Sequence, residues 1–371
     1  MRKLDGSKVL FLCTTDNMIW QFLVPHIKDL ITLGASVDCA CNKTGFWYEE
    51  LEDIGLSMTE LPFSRGMFGF GNIKAYSKLK KLVKNNKYDY IFCQQSVASV
   101  FGRLVSKKYK IPVIYTVHGF AFAEGNNPIK NAIYKIVEKY LSKYTDIMIT
   151  MNDYDYNTAK SWGSNVYKIS GIGLQDKLST ARITREDLGL DKDDKVIVSI
   201  SEFIKRKNYP TMIKTFKKLT EKYPNVKYLI CGSGRDLDKI KKLTVSLGVE
   251  NKIHFLGYRK DAMDILRLAD VFYHESFNEG LTMSIMEAMK IGLPIVTSNR
   301  RGNIDLVDNG QGGFVTDPID CDSQLEALIK LLNDDKLRLT FGEYNKEKVK
   351  KYSLEEVRQE LISVYKKNTL I

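Results

Sequence analysis

The stretch His274-Glu275-Ser276-Phe277-Asn278-Glu279-Gly280-Leu281-Thr282-Met283-Ser284-Ile285-Met286-Glu287-Ala288-Met289 lies where an apolar run at 271–273 gives way to a helical pattern. Met283, Met286 and Met289 recur at helical spacing, with Ala288 beside them, which predicts a helix opening near 280–282. A strand that runs into a helix is the repeating unit of an α/β fold. The first-turn N–H groups of such a helix have no partner within it, and with the helix dipole they form an anion site suited to a phosphate. Glu279 precedes the helix and Glu287 comes eight residues later, about 12 Å along an axis that rises ~1.5 Å per residue. That separation suits a ligand with a diphosphate in its middle. One carboxylate can grip hydroxyls at one end and the other a diol at the far end, as charge-assisted acceptors. The plainer reading of Glu287 is an exposed helix residue paired with Lys290.

The rest of the chain repeats the strand–helix alternation. Apolar β-rich runs occur at 9–13, 37–40, 90–93, 113–117 and 147–150, and again at 196–200, 227–231, 253–256, 271–273 and 294–297. Helical patterns such as 72–84 and 129–142 lie between them, and three helices at 322–333, 335–350 and 354–367 close the chain. Strands apolar on both faces and separated by helices predict parallel sheets, and two such series predict two Rossmann-like domains. The boundaries expected are 1–172 for the first domain and 173–352 for the second, with 353–371 a terminal helix returning to the first. Ligands of open α/β sheets bind beyond the carboxyl ends of the strands, so the site is expected in a cleft where the two domains face each other.

Composition excludes several classes. The chain has 371 residues, 44% hydrophobic and 27% charged, ordinary for folded two-domain proteins. No uninterrupted apolar run approaches the ~18 residues of a membrane-spanning helix. The apolar stretch after Met1-Arg2-Lys3 is five residues long, short for a signal peptide and suited to a buried strand. A cytoplasmic location is therefore expected. The net charge is +11, which implies an anionic partner such as nucleic acid, a phospholipid surface or a phosphorylated substrate, or serves plain solubility. Six cysteines fall mostly in strand-like runs without a Cys-x-x-Cys pair. They read as buried thiols, and no metal site is expected.

Other segments agree with a diphosphate ligand. Lys205-Arg206-Lys207-Asn208 follows the 196–200 strand, where a cationic cluster can neutralise a diphosphate leaving group; the alternative is a solvated basic loop. Cys231-Gly232-Ser233-Gly234 ends another strand, and small residues there let backbone approach a nucleotide closely. It lacks the spacing of a dinucleotide fingerprint. Asp153-Tyr154-Asp155 has the form of a metal-binding Asp-x-Asp, but reads better as a helix start capped by Asn152.

The Glu279-to-Glu287 segment, with Gly280, Ala288, Gly292-Leu293-Pro294-Ile295-Val296 and Asp305 in order, resembles the signature of retaining glycosyltransferases of family four, which have the GT-B fold. The resemblance extends over nearly the whole chain and is nearest to enzymes of capsule, exopolysaccharide and lipopolysaccharide assembly. It implies a nucleotide-sugar donor, here a UDP-sugar, and transfer with retention, without metal or other cofactor. By the same resemblance Glu279 meets donor-sugar hydroxyls and Glu287 the ribose diol. The amides after Gly280, at Leu281, Thr282 and Met283, hold the diphosphate, and Lys207 looks like the family's diphosphate lysine. Ser201 and Glu202 stand where the family has Gly and Arg, and Arg206 is expected to supply the missing cation. Tyr258 and Arg259 fall in the base-contacting loop, Gly232 at the nucleotide, and His118 near the donor sugar. The loop containing Asp16 and Asn17 lacks the paired glycines common in the family. Asn17 is assigned to the donor and Asp16 to the acceptor.

The acceptor implied is a lipid-linked, undecaprenyl-diphosphate saccharide. Ser64-Arg65-Gly66-Met67-Phe68-Gly69-Phe70-Gly71 precedes a helix with Lys74, Lys78 and Lys81 on one face and Ile73, Tyr76, Leu79 and Val83 largely on another. Aromatics beside basic residues suit an anionic bilayer, at the inner face of the cell membrane. The alternative is an ordinary helix packed by its apolar stripe. Arg65 is assigned to the acceptor diphosphate. A nucleotide-sugar 2-epimerase of the same fold is the rival enzyme. A nucleic-acid-binding protein is the rival binding module, but the basic residues form no aromatic-interleaved stripe, and no nucleic-acid partner is expected.

Overall fold

Uninterrupted burial marks the central strands. Every side chain of Tyr90–Gln94, Val113–Val117 and Ile147–Thr150 is buried, as are those of Val271–His274 and Ile295–Ser298. Strands covered on both faces by helices must be apolar throughout. The computed structural model describes residues 2–45, 47–64, 66–175 and 183–371. It divides into two compact units, Met1–Gly173 with Leu354–Ile371, and Leu174–Ser353.

The first unit holds seven strands: β1 (Lys8–Thr15), β2 (Ser36–Asn42), β3 (Ser57–Glu60), β4 (Tyr90–Gln94), β5 (Val113–Val117), β6 (Ile147–Thr150) and β7 (Val166–Lys168). They form one parallel sheet in the order β3-β2-β1-β4-β5-β6-β7. Chain order reverses between β1 and β4, which opens a crevice at their carboxyl ends. The helix Leu354–Lys367 belongs to this unit. Arg358 donates from Nε to Asp29 at 2.7 Å, and Glu360 accepts from the Ser170 amide at 2.6 Å. The Tyr365 ring meets Phe92 edge-on, with centroids 6.2 Å apart.

Two helices on one face of this sheet are pinned by a buried ion pair. Arg103, on Ser96–Tyr109, donates to Glu138, on Pro128–Leu141, at 2.8 Å, and neither side chain is exposed. Burial drives the Glu138 carboxyl above its usual range, against the pull of Arg103. The guanidinium also lies over the Tyr115 ring, 4.5 Å from its centroid.

The second unit has six strands: β8 (Lys195–Ile200), β9 (Val226–Cys231), β10 (Ile253–Gly257), β11 (Val271–His274), β12 (Ile295–Ser298) and β13 (Gly313–Thr316). All pair in parallel, in the order β10-β9-β8-β11-β12-β13. Its switch point lies between β8 and β11. Both units are therefore Rossmann-like, as expected.

The ten apolar runs read from the sequence are all strands. Three more strands, β3, β7 and β13, had no apolar signature. Each lies at an edge of its sheet, where part of its surface is exposed and a continuous apolar run is not required. Five cysteines are buried and all six are unpaired. Burial raises the Cys13 thiol to about 12, which keeps it protonated and unreactive. Asp153-Tyr154-Asp155 opens the helix Asp153–Lys160, and the Asn152 side chain caps it by accepting from the Asp155 amide at 2.8 Å. No helix of the described residues is long and apolar enough to cross a membrane.

Candidate functional site

The second unit's switch point gathers the two segments singled out in the sequence. After β8 the chain turns through a single 3-10 turn, Lys205–Lys207, and Asn208 takes a left-handed conformation, φ +56°. That residue anchors the turn: its side-chain Nδ2 donates to the Pro318 carbonyl at 2.6 Å. A helix, Tyr209–Lys222, starts there. After β11 the chain runs through 275–282 into the helix Met283–Ile291, close to the expected start. Since β8 and β11 are paired, both loops emerge side by side. The Phe277 amide donates to the Arg206 carbonyl at 2.8 Å, and Arg206 Nη1 donates to the Asn278 carbonyl at 2.9 Å.

This zipping places one carboxylate between two cations. Glu279 is 7% exposed. It accepts from Lys207 Nζ at 2.6 Å through Oε1, and from Arg206 through Oε2. His274 Nε2 lies 3.3 Å from the same Oε1. Burial works to raise the Glu279 carboxyl, but the charges of Arg206 and Lys207 outweigh it and hold it well below the usual range. Burial also lowers the Lys207 ammonium, although Glu279 opposes this. His274 is brought to about 4 by burial and by Lys207, so its imidazole is neutral near pH 7. One anion balanced by two cations leaves a local excess of positive charge that an incoming diphosphate can take up. Arg206 is 37% exposed along its side chain, so it remains within a ligand's reach.

The amino end of Met283–Ile291 completes the anion site. Thr282 is its N-cap, but its side chain does not cap. The hydroxyl donates instead to Asn303 at 2.7 Å. Asn303 in turn donates to Ser276 at 3.1 Å and to Ser298 at 2.9 Å, all buried. This network holds the 276–282 loop while leaving the helix's first-turn amides without a side-chain acceptor from the cap. Gly280, Leu281 and Met283 are partly exposed around this end. Glu287 is half-buried one turn further along. Gly302 lets the 299–303 segment approach closely, since a Cβ there would lie 2.6 Å from the Gly280 carbonyl oxygen.

Two of the assigned residues, Gly232 and Asp16, are engaged by the chain itself. Gly232 and Gly234 do adopt glycine-only backbone angles, φ +150° and +154°. The room they make is filled by the chain itself: a Cβ on Gly232 would strike the Ser201 carbonyl, and one on Gly234 would lie 2.6 Å from the Phe203 amide nitrogen. Gly232 also donates to the Gly257 carbonyl at 2.7 Å. Asp16 is fully buried rather than turned toward an acceptor. It accepts from the Thr44 amide at 2.9 Å and the Asn17 amide at 2.7 Å, so it fixes the loop after β1.

The remaining assigned residues occupy strand ends. Asn17 accepts from Gln21 at 2.9 Å. Tyr258 is exposed just after β10, and Arg259 forms a two-pronged pair with Asp261 at 2.7 and 2.6 Å. His118 follows β5. Its Nε2 lies 2.7 Å from Gln94 Oε1, and the Gln94 amide donates to Thr116 at 3.3 Å. The imidazole is therefore set with Nε2–H toward Gln94. Burial, with His26 nearby, lowers it to about 3, so it is neutral. Arg65 lies outside the described residues. Among residues the sequence reading passed over, His274, Asn303 and Gln94 support the assigned groups. Gln95, at φ +64°, forms the turn at the end of β4. A histidine directly ahead of the acidic loop was the one visible hint of His274; the two amides leave no pattern in sequence.

Comparison with known proteins gives a consistent picture. Residues 181–348 match the model described as Glycosyl transferases group 1, and residues 8–152 that described as Glycosyl transferase 4-like. A protein of Bacillus subtilis (strain 168) designated glycosyltransferase EpsD is 29% identical over 97% of this chain and 96% of its own. The UDP-Gal:alpha-D-GlcNAc-diphosphoundecaprenol alpha-1,3-galactosyltransferase of Escherichia coli is 27% identical over 82% of this chain and 81% of its own. Among solved structures, Anabaena Alr3699/HepE in complex with UDP and glucose superimposes with a TM-score of 0.82 at 19% identity, covering 97% of this chain and all of that one.

Proposed function

The chain belongs to the GT-B glycosyltransferases, with a 4-like domain followed by a group 1 domain, and on that premise we propose that it transfers a sugar, with retention, from a UDP-sugar to an undecaprenyl-diphosphate-linked saccharide in bacterial surface polysaccharide assembly. The observation that carries the reading is the Arg206–Glu279–Lys207 cluster beside the uncapped end of Met283–Ile291. Such a cluster suits a diphosphate that gains charge as it leaves. The relatives support the substrate classes: the name of the Escherichia coli enzyme specifies a UDP-sugar donor and a diphosphoundecaprenol acceptor.

In this reading the donor diphosphate takes over Arg206 and Lys207 and receives the amides of Leu281, Thr282 and Met283. Glu279, released from part of its ion pairing, orients the sugar hydroxyls. Glu287 accepts from the ribose diol, while Tyr258 and Arg259 flank the base. As the sugar–oxygen bond to the diphosphate breaks, the acceptor hydroxyl attacks from the same face. A donor-phosphate oxygen takes its proton, and no group of the enzyme becomes covalently attached. Preorganised cations and amides stabilise the leaving group without reorganising at the moment of reaction, and no metal is called for.

A panel of nucleotide sugars incubated with lipid-linked acceptors tests this, with the product linkage and anomeric configuration read by NMR. Retained configuration from a UDP-sugar is the expected result. Altered sugar stereochemistry in donor incubated alone would instead identify an epimerase.

A further inference from the structure

Two loops of the first unit each bring a tryptophan to the same place. Trp20 follows β1 and Trp47 follows β2. Their rings stack, with centroids 5.1 Å apart and planes within 7° of parallel. β1 and β2 are paired in parallel, so both loops leave the carboxyl edge of the sheet. That edge holds the crevice at the β1/β4 reversal. The third tryptophan, Trp162, serves the hydrophobic core, packed against Phe120 and Phe122. Trp20 and Trp47 are left partly exposed.

The backbone departs from regular helix to present the first of them. Ile19–Leu23 is a single π-turn, in which the Val24 amide donates to the Ile19 carbonyl five residues back. Such turns are rare and recur at functional sites. Ile19 and Leu23, at its two ends, are buried, while Trp20 and Gln21 between them are partly exposed. Asp16 ties the two loops together, since it is fully buried and accepts from the Thr44 amide at 2.9 Å. The stack is thus held from both sides before a ligand arrives, which removes an ordering cost from binding. The same loops supply polar groups. Gln21 donates to Asn17 at 2.9 Å, and Glu49, just past Trp47, pairs with Lys43 at 2.5 Å on the surface.

A flat aromatic surface with amide and carboxylate groups beside it matches a sugar ring. A pyranose with equatorial hydroxyls turns its axial C–H bonds to its two faces, and the negative face of an indole attracts their slightly positive hydrogens. The hydroxyls around the ring take hydrogen bonds from amides and give them to carboxylates. A nucleobase is the other flat ligand, but the two indoles are closed on each other and leave no slot to sandwich one. We propose that the Trp20–Trp47 stack is a platform for a gluco-configured pyranose of the acceptor saccharide, with Gln21 and Glu49 reaching its hydroxyls. The platform presupposes the transferase reading and adds to it a determinant of acceptor choice.

The test is calorimetric titration of the full chain, without donor, using two probes: farnesyl diphosphate carrying N-acetylglucosamine, and farnesyl diphosphate alone. The sugar-bearing probe should bind about tenfold more tightly, the worth of one good aromatic contact. It should also change the tryptophan fluorescence, which the bare probe should leave as it was. Trp20→Ala and Trp47→Ala should each lose the tenfold preference. Trp20→Phe keeps a ring beneath the sugar and should keep most of it. Thermal unfolding checks that the variants fold; if an alanine variant does not, the two probes on the parent and on Trp20→Phe still decide. Equal affinity for the two probes would overturn the proposal. So would lowered stability with an unchanged preference in both alanine variants, since the stack would then be packing only. UDP should bind the alanine variants as it binds the parent. A UDP affinity lost with the tryptophans would give the stack to the donor and overturn the proposal, whereas no UDP binding by the parent would sink the donor reading instead.

Discussion

Replacing Glu279 by glutamine separates the two roles that its position gives it. Without ligand, the carboxylate neutralises Lys207, whose side chain is 11% exposed, and Arg206, which is 37% exposed. Breaking a buried pair on one side costs about 3–5 kcal/mol, because the abandoned charge cannot be hydrated. The glutamine oxygen still accepts one hydrogen bond and Arg206 can still reach water, so the cost falls to the bottom of that range or below it, about 2–3 kcal/mol. For a unit of this size, that lowers Tm by roughly 4–12 °C. UDP should reverse the loss, since its diphosphate supplies the negative charge that the variant lacks. The stabilisation produced by saturating UDP should then be larger in Glu279→Gln than in the parent, while transfer slows through loss of the sugar contact. Thermal unfolding with and without UDP, alongside transfer rates, reads all three effects. An unchanged Tm in the variant, or a UDP effect no larger than the parent's, would refute the view that carboxylate and diphosphate share the same cations.

Other substitutions probe separate parts. Glu287→Ala removes one charge-assisted acceptor from a half-buried position and should weaken UDP binding by about 1.5–3 kcal/mol, roughly 10- to 150-fold, with little change in unfolding; calorimetric titration checks it. Arg103→Met alone leaves Glu138 buried and unpaired and should destabilise the first unit by about 3–5 kcal/mol, whereas Arg103→Met/Glu138→Leu should recover most of that in denaturant unfolding. His274 has a folded-state value of about 4, below its ordinary one of about 6.5. Between those values the unfolded chain binds the proton more readily, so stability should fall as pH drops from about 6.5 to 4 and level off below. His274→Gln should flatten that slope in a pH series of denaturant melts.

The sheets were legible because a strand buried on both faces has little choice but to be apolar. Val9 to Cys13 or Val113 to Val117 can serve only as central strands. β3, with Ser57, Thr59 and Glu60, escaped because an outer strand satisfies water on part of its surface. The candidate site was half legible. Glu279, the helix behind it and the basic turn each announced a charged ligand by residue type and spacing. Their junction did not, since Arg206 and Glu279 stand 73 positions apart and meet only because β8 and β11 are neighbours.

Sequence by itself determined the α/β alternation, the two Rossmann-like units and the acidic and basic residues available to a diphosphate. Local chemistry suffices there, because periodicity and helix-end electrostatics act over a few residues. Tertiary structure alone decided which charges share a partner, that Asp16 faces inward, that the Gly232 and Gly234 clearances receive the chain's own backbone, and that Ile73, expected with the packing stripe, is 72% exposed. Burial and long-range contact belong to the assembled fold: an isoleucine at helical spacing looks the same in sequence whether its face meets the core or the solvent.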